Sequence, residues 1–225
     1  VNPPKFAFFN VDGTLIQGNT WTGVLAYPKI NRLKLWRMQL VDLTRAATHE
    51  LKLLGQARYR AGYIRSLAAL VRGWPEEEVQ ALFHWLATDY LASRYRPDVL
   101  DLVQEHRSNG TQIVLISAIF KETLSEISRV VGADSVIGTS LAFKNGLATG
   151  RIKGKACVGL RKIDLIRIYL RKQNPSVDLS ECIGYASSYS DAPLLAAMGL
   201  GVAVYPDPLL EVVAIEQRWP IFPAS

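Results

Sequence analysis

Four short apolar runs recur after Arg96: TQIVLIS (111–117), DSVIG (134–138), ECIGYA (181–186) and GVAVY (201–205). Between and before them, apolar residues fall at helical spacing, and helices are expected at 98–108, 121–131, 160–172 and 193–198. Strands alternating with helices require right-handed crossovers, because a parallel neighbour is reached only by passing over a sheet face. The fold class is therefore α/β, with a doubly wound, mostly parallel, Rossmann-like sheet. KFAFF (5–9) supplies an opening strand, and FKNGLATGRI (143–152) reads as a hairpin turning at Asn145-Gly146.

Residues 21–92 lack this alternation. Leu33, Trp36, Leu40 and Leu43, then Ile64, Leu67, Leu70 and Val71, recur at three- and four-residue steps, so a helical insert of about four helices is expected. GWPEEEV (73–79) marks one helix start, with a proline at the first turn and three glutamates at the positive end of the helix dipole. The organisation expected is an α/β core from 1–17 and 96–225, with a four-helix cap from 18–95.

The insert also carries the charge. The chain has a net charge of +6, and residues 18–96 hold twelve Lys or Arg against six Asp or Glu, whereas the remainder holds fourteen of each. A localised positive field concentrates anions, which suits an anionic substrate, an acidic partner or a lipid surface; the alternative is a solvated basic face.

Several classes are disfavoured. The 225 residues are 49% hydrophobic and 20% charged, a globular composition, and no apolar run approaches the roughly 18 residues that a membrane span needs. The N-terminus lacks the basic, apolar, small-residue order of a secretory signal, so the cytoplasm is the expected location. Cys157 and Cys182 form no CxxC pair and read as small core residues. His49, His84 and His106 have no metal-ligand spacing, and nothing beyond positive charge points to nucleic acid. Oligomeric state is not legible.

In such a sheet ligands bind beyond the carboxyl ends of the strands, where Asn10, Ser117 and the loop after Tyr185 converge. NVDGTL, IVLIS, GKACVGLRK, YASSYSDAPLL and VAVYPD with RWPIF follow one another over nearly the whole chain. In order and spacing they resemble the haloacid dehalogenase superfamily, and in detail its IB subfamily of phosphoserine-phosphatase-like hydrolases. The resemblance implies Mg²⁺-dependent phosphomonoester hydrolysis through an aspartyl phosphate. Family members carry the carboxylate nucleophile at the position of Asn10, and Asp12 matches the general acid and base. Gly13 permits the turn and Thr14 fixes the loop, both within the substrate-binding set. Ser117, with Ala118 beside it, matches the hydroxyl that meets a phosphate oxygen. Lys162 matches the cation that offsets charge on nucleophile and phosphoryl group, and is preferred to Lys155 on its spacing from Cys157 and Gly159. The family's Mg²⁺ would lie among Asn10, Asp12, Ser187 and Asp191.

Two positions depart from that pattern. Asn10 and Ser187 are neutral where the family has acidic residues. Each lost charge at about 4 Å removes on the order of 4 kcal/mol of attraction at an effective dielectric near 20, before solvation offsets much of it. Metal binding is therefore expected to be weak, and an amide is a far poorer nucleophile than a carboxylate. Ser187, Ser188 and Ser190 have no neighbouring histidine and no nucleophile elbow.

Three readings stay open. The chain is an altered member using its pocket, with Asp12 as proton donor or acceptor, for acyl transfer, elimination or dehydration; or a phosphatase with an engineered Asp-to-Asn change at position 10; or a non-catalytic binder of a phospho-ligand or partner. Trp21, Tyr27, Trp36, Trp74 and Trp85, with Arg32, Arg37, Arg58, Arg60 and Arg65, suggest a small phosphorylated or acidic substrate with an apolar part, although most of these aromatics are expected in the insert's own core, since a four-helix insert must bury a face.

Overall fold

Phe6–Asn10 forms β1, whose five residues are all buried and whose alternate side chains enter two different cores. Ala7 and Phe9 join one hydrophobic cluster, Phe6 and Phe8 the other. The same split recurs in β2 (Gln112–Phe120), where Ile113 and Leu115 face one way and Val114 and Ile116 the other. A strand covered on both faces reads as a continuous apolar run, which is why these segments show no polar alternation.

This computed structural model describes residues 4–51 and 55–223. Residues 1–3, 52–54 and 224–225, which the sequence-based boundaries include, lie outside the described residues. The remaining strands are β3 (Ser135–Thr139), β4 (Leu141–Lys144), β5 (Leu147–Ile152), β6 (Cys182–Ala186), β7 (Leu200–Val204) and β8 (Ile221–Phe222). Of the eight described strands, six form one sheet in the order β3-β2-β1-β6-β7-β8, and every neighbouring pair is parallel. β4 and β5 pair antiparallel across Asn145-Gly146, both with positive φ as that turn demands.

Between β1 and β2 lie α1 (Thr20–Ala26), α2 (Arg32–Glu50), α3 (Gln56–Leu70), α4 (Glu76–Trp85), a π-helical turn at Leu86–Tyr90, and α5 (Pro97–Ser108). After β2 come α6 (Lys121–Val131), α7 (Arg161–Gln173), α8 (Ala192–Ala196) and α9 (Pro208–Gln217). Val99 and Val103 of α5 and Leu124 and Ile127 of α6 cover one sheet face; Ile163, Ile166 and Leu170 of α7 and Leu194 of α8 cover the other. The first cluster also takes in Leu67 and Leu70 of α3, Leu82 and Phe83 of α4, and Leu86. The helices between β1 and α5 thus share a continuous apolar interior with the sheet.

Three elements differ from the sequence-based reading. The second strand continues past Ser117 to Phe120, and its register with β3 shifts between Ile116 and Phe120. α9 has a clear start, with Asp207 Oδ1 accepting from Leu210 N at 2.8 Å and Pro208 in the first turn. Its Leu209, Val212 and Ile215 face solvent, however, so no amphipathic period betrays it. β8, two residues long, is too short to announce itself.

Candidate functional site

At the end of β1 the chain folds back on itself. The amides of Thr14, Leu15 and Ile16 all donate to Val11 O, at 3.2, 3.0 and 3.2 Å, and Gly13 N donates to Gly18 O at 2.9 Å. Gly13 has φ +75°, and a Cβ there would sit 2.5 Å from Ser187 Oγ. Only glycine satisfies both the dihedral and the close approach.

The turn sets Asp12 at the pocket floor. Its Oδ1 accepts from Thr20 N at 2.6 Å and its Oδ2 from Ser117 Oγ at 3.2 Å. Ser117 reaches it where β2 leaves register with β3, a use of irregular strand geometry that re-aims a side chain. Ile119 N in turn donates to Ser117 Oγ at 3.3 Å. Burial raises the Asp12 carboxyl above its ordinary range, opposed by the Thr20 and Ser117 hydrogen bonds and by the charge of Lys162.

Lys162, in the first turn of α7, projects to the same place. Its Nζ lies 2.7 Å from Asp191 Oδ1 and 3.3 Å from Asn10 Oδ1. Asp191 Oδ2 is buried with no hydrogen-bond partner among the described residues. The Asn10 amide is oriented by both its ends: Oδ1 accepts from Lys162, and Nδ2 donates to Asp12 O at 3.0 Å. Ser187 Oγ donates to that same carbonyl at 3.3 Å. The Asp12 carbonyl oxygen is thus met by two neutral donors. Among the described residues, no group of three or more His, Cys, Asp or Glu stands where it could hold a metal ion.

These groups open into a cavity of about 480 Å³. Asn10, Asp12, Gly13, Ser117, Ala118, Lys162, Ser187 and Asp191 all line it, so the structure brings together every sequence-derived site residue except one. Thr14 is absent from the lining: it is fully buried, and its Oγ1 has no hydrogen-bond partner among the described residues.

Of the aromatic and arginine residues singled out in the insert, Trp21 and Arg60 line the cavity, and Arg60 Nη2 donates to Ser188 Oγ at 3.5 Å. Tyr27 packs against Trp74 and Trp85 instead, while Trp36, Arg32, Arg37, Arg58 and Arg65 are exposed. Tyr59, Tyr63, Arg96, Tyr205 and Asp207 are among further wall residues that were not foreseen. Tyr59, Arg60 and Tyr63 share one face of α3, a helical spacing that a pocket-facing reading of that helix would have caught. Tyr205 follows β7, a strand end like the other three, with Arg96 stacked 3.6 Å over its ring and Asp98 Oδ2 accepting from its hydroxyl at 2.6 Å.

The chain matches the haloacid dehalogenase-like hydrolase family over residues 7–196. It is 29% identical over 215 residues to the phosphoserine phosphatase SerB1 of Mycobacterium tuberculosis, covering 96% of this chain and 69% of that protein. A crystal structure of a protein of unknown function from Bordetella pertussis Tohama I superposes with a TM-score of 0.82 at 21% identity, over 97% of this chain and 98% of the other. A phosphoserine phosphatase solved as a phospho-aspartyl intermediate analogue superposes with a TM-score of 0.60 at 17% identity, over 97% and 92%. With its parallel sheet, its strand-end cavity and a family match over most of its length, this chain belongs to the haloacid dehalogenase-like hydrolases and is phosphoserine-phosphatase-like among them.

Proposed function

We propose that the strand-end pocket binds a small phosphorylated or acidic ligand with an apolar part, and that the family's aspartyl-phosphate hydrolysis is impaired or replaced here. The observation that carries this reading is the double tether of Asn10, whose oxygen accepts from Lys162 and whose nitrogen donates to Asp12 O. A carboxamide held this way offers phosphorus no anionic oxygen. Lys162 and Arg60 supply positive charge, Trp21, Tyr59 and Tyr63 supply apolar wall, and the name of the relative SerB1 supports a phosphorylated small molecule. Asp12, its carboxyl raised by burial and hydrogen-bonded to Ser117, is the group suited to exchanging a proton with a bound ligand. In this reading residues 18–95 act as the cap and 1–17 with 96–225 as the core.

The residues are a poor fit for the family's Mg²⁺. Of the four positions, Asn10 and Ser187 are neutral and place hydrogen-bond donors on the Asp12 carbonyl, and Asp191 already faces the Lys162 ammonium. The Asp12 carboxylate is turned to Thr20 and Ser117. Hard divalent cations favour anionic oxygen ligands, and one ion-paired carboxylate is a thin supply.

The test compares the parent chain with Asn10→Asp, Ser187→Asp and the double variant on a panel of phosphomonoesters, with and without Mg²⁺. The expected result is no phosphate release by the parent, stabilisation of the parent by phosphorylated ligands, and Mg²⁺-dependent turnover only in the double variant. Turnover by Asn10→Asp alone would support a phosphatase altered at one position. Rapid hydrolysis by the parent with phosphate trapped on residue 10 would end the proposal.

A further inference from the structure

The solvent face of α2 is apolar where a helix facing only water would be polar. Leu33, Trp36, Leu40 and Leu43 are 56%, 57%, 44% and 67% exposed. At 3.6 residues per turn they fall within a stripe about 80° wide. The helix cannot roll to bury them, because its opposite face is committed. Met38 is buried there, and the Arg45 guanidinium bonds both Asp42 and Ser66 of α3. Gly62 of α3 leaves the space that Arg45 fills, since a Cβ on it would lie 2.5 Å from Arg45 Nε.

Exposed charge beside the stripe is mainly positive: Lys29, Arg32 and Arg37 surround it, Asp42 is turned inward and paired with Arg45, and Glu50, the last residue of the helix, is the one exposed acid of α2.

We propose that this face docks on an anionic lipid bilayer, with α2 lying in the plane of the interface. An exposed helix face with leucines and a tryptophan along it and cations around it matches what a headgroup boundary accepts. Exposed arginines meet anionic headgroups favourably, whereas a second copy docked through the same face would bring Arg32 and Arg37 near their like-charged equivalents. The inference is independent of the pocket chemistry.

The test is co-sedimentation of the whole chain with vesicles of phosphatidylcholine alone and of phosphatidylcholine with phosphatidylglycerol, at low and high salt, beside sedimentation velocity without lipid. The parent is expected to bind only the anionic vesicles, and less at high salt. Arg32→Glu with Arg37→Glu should weaken binding at least about 25-fold, at roughly fivefold per cation. Leu33→Ser with Trp36→Ser and Leu40→Ser should weaken it at least about 50-fold, with the chain still folded, because these side chains are about half exposed. Should that triple variant fail to fold, the charge-reversed pair and the salt dependence decide.

Four results overturn the proposal: no binding to anionic vesicles, equal binding to neutral ones, full binding by the charge-reversed pair, or full binding by a folded triple variant. Self-association that the triple variant abolishes, without vesicle binding, would assign the face to a second copy of the chain. Salt-sensitive binding to polyglutamate without vesicle binding would assign it to an acidic protein.

Discussion

Lys162 Nζ and Asp191 Oδ1 stand 2.7 Å apart with both side chains only 3% exposed, an ion pair almost wholly withdrawn from water. Withdrawing two charges costs about as much as their attraction returns, so the pair adds little net stability, but each partner is indispensable to the other. Lys162→Met or Asp191→Asn alone should cost about 3–5 kcal/mol in urea denaturation. Lys162→Met with Asp191→Asn should cost less than the sum of the two single changes, and a strictly additive double loss would contradict the pairing.

Gly13 tests the turn. Gly13→Ala should destabilise by at least about 1–2 kcal/mol from its positive φ alone, plus the contact with Ser187 Oγ. Adding Ser187→Gly should recover the contact and leave the dihedral cost. Equal stability of the parent and the single variant in thermal melts would refute this account.

His106 should set an acid-side weakness. One ring nitrogen of its imidazole, Nε2, hydrogen-bonds Tyr185 Oη at 2.6 Å, and burial lowers its pKa below the ordinary 6.5. Between the folded and unfolded values the unfolded chain binds the extra proton, so stability falls as pH drops below about 6.5 and is fully present above it. His106→Phe should carry a pH-independent loss of about 1–3 kcal/mol from the stranded Tyr185 hydroxyl. It should also flatten the slope between pH 7 and 5, and an unchanged slope in melts across that range would show that other groups carry it.

Arg60 should matter to ligand and little to fold. Its described contact is the 3.5 Å bond to Ser188 Oγ at the cavity edge. Arg60→Leu should therefore change ligand-free stability by no more than about 0.5 kcal/mol. The stabilisation conferred by phosphorylated ligands should fall at least fivefold in apparent affinity, and undiminished stabilisation would place the anion elsewhere.

The sheet was legible because its strands are uniformly apolar and its helices periodic, two signals that short-range physics writes directly into the order of residues. The residues gathered at the strand ends were legible for a related reason: Asn10 ends β1, Ser117 lies near the carboxyl end of β2 where its register with β3 shifts, and topology brings these ends together. What escaped was set by tertiary context. Tyr59 and Tyr63 become cavity wall only because α3 lies over the strand ends, and no local pattern separates them from Tyr27, which packs against Trp74 and Trp85. Of the turn after β1 only Asp12 and Gly13 reach the cavity; Thr14, like Leu15 and Ile16, is fully buried, its amide among those that converge on Val11 O.

Leu67, Phe83 and Leu86 lie in the same buried cluster as Phe9, Leu115 and Phe120. A hinged lid needs a dry seam along which it can part, and here that seam is filled with interlocked side chains. Heat or denaturant should therefore dissolve both regions in one transition. At the cavity edge, by contrast, the helical region and the strand-end loops meet through a polar contact, Arg60 Nη2 to Ser188 Oγ.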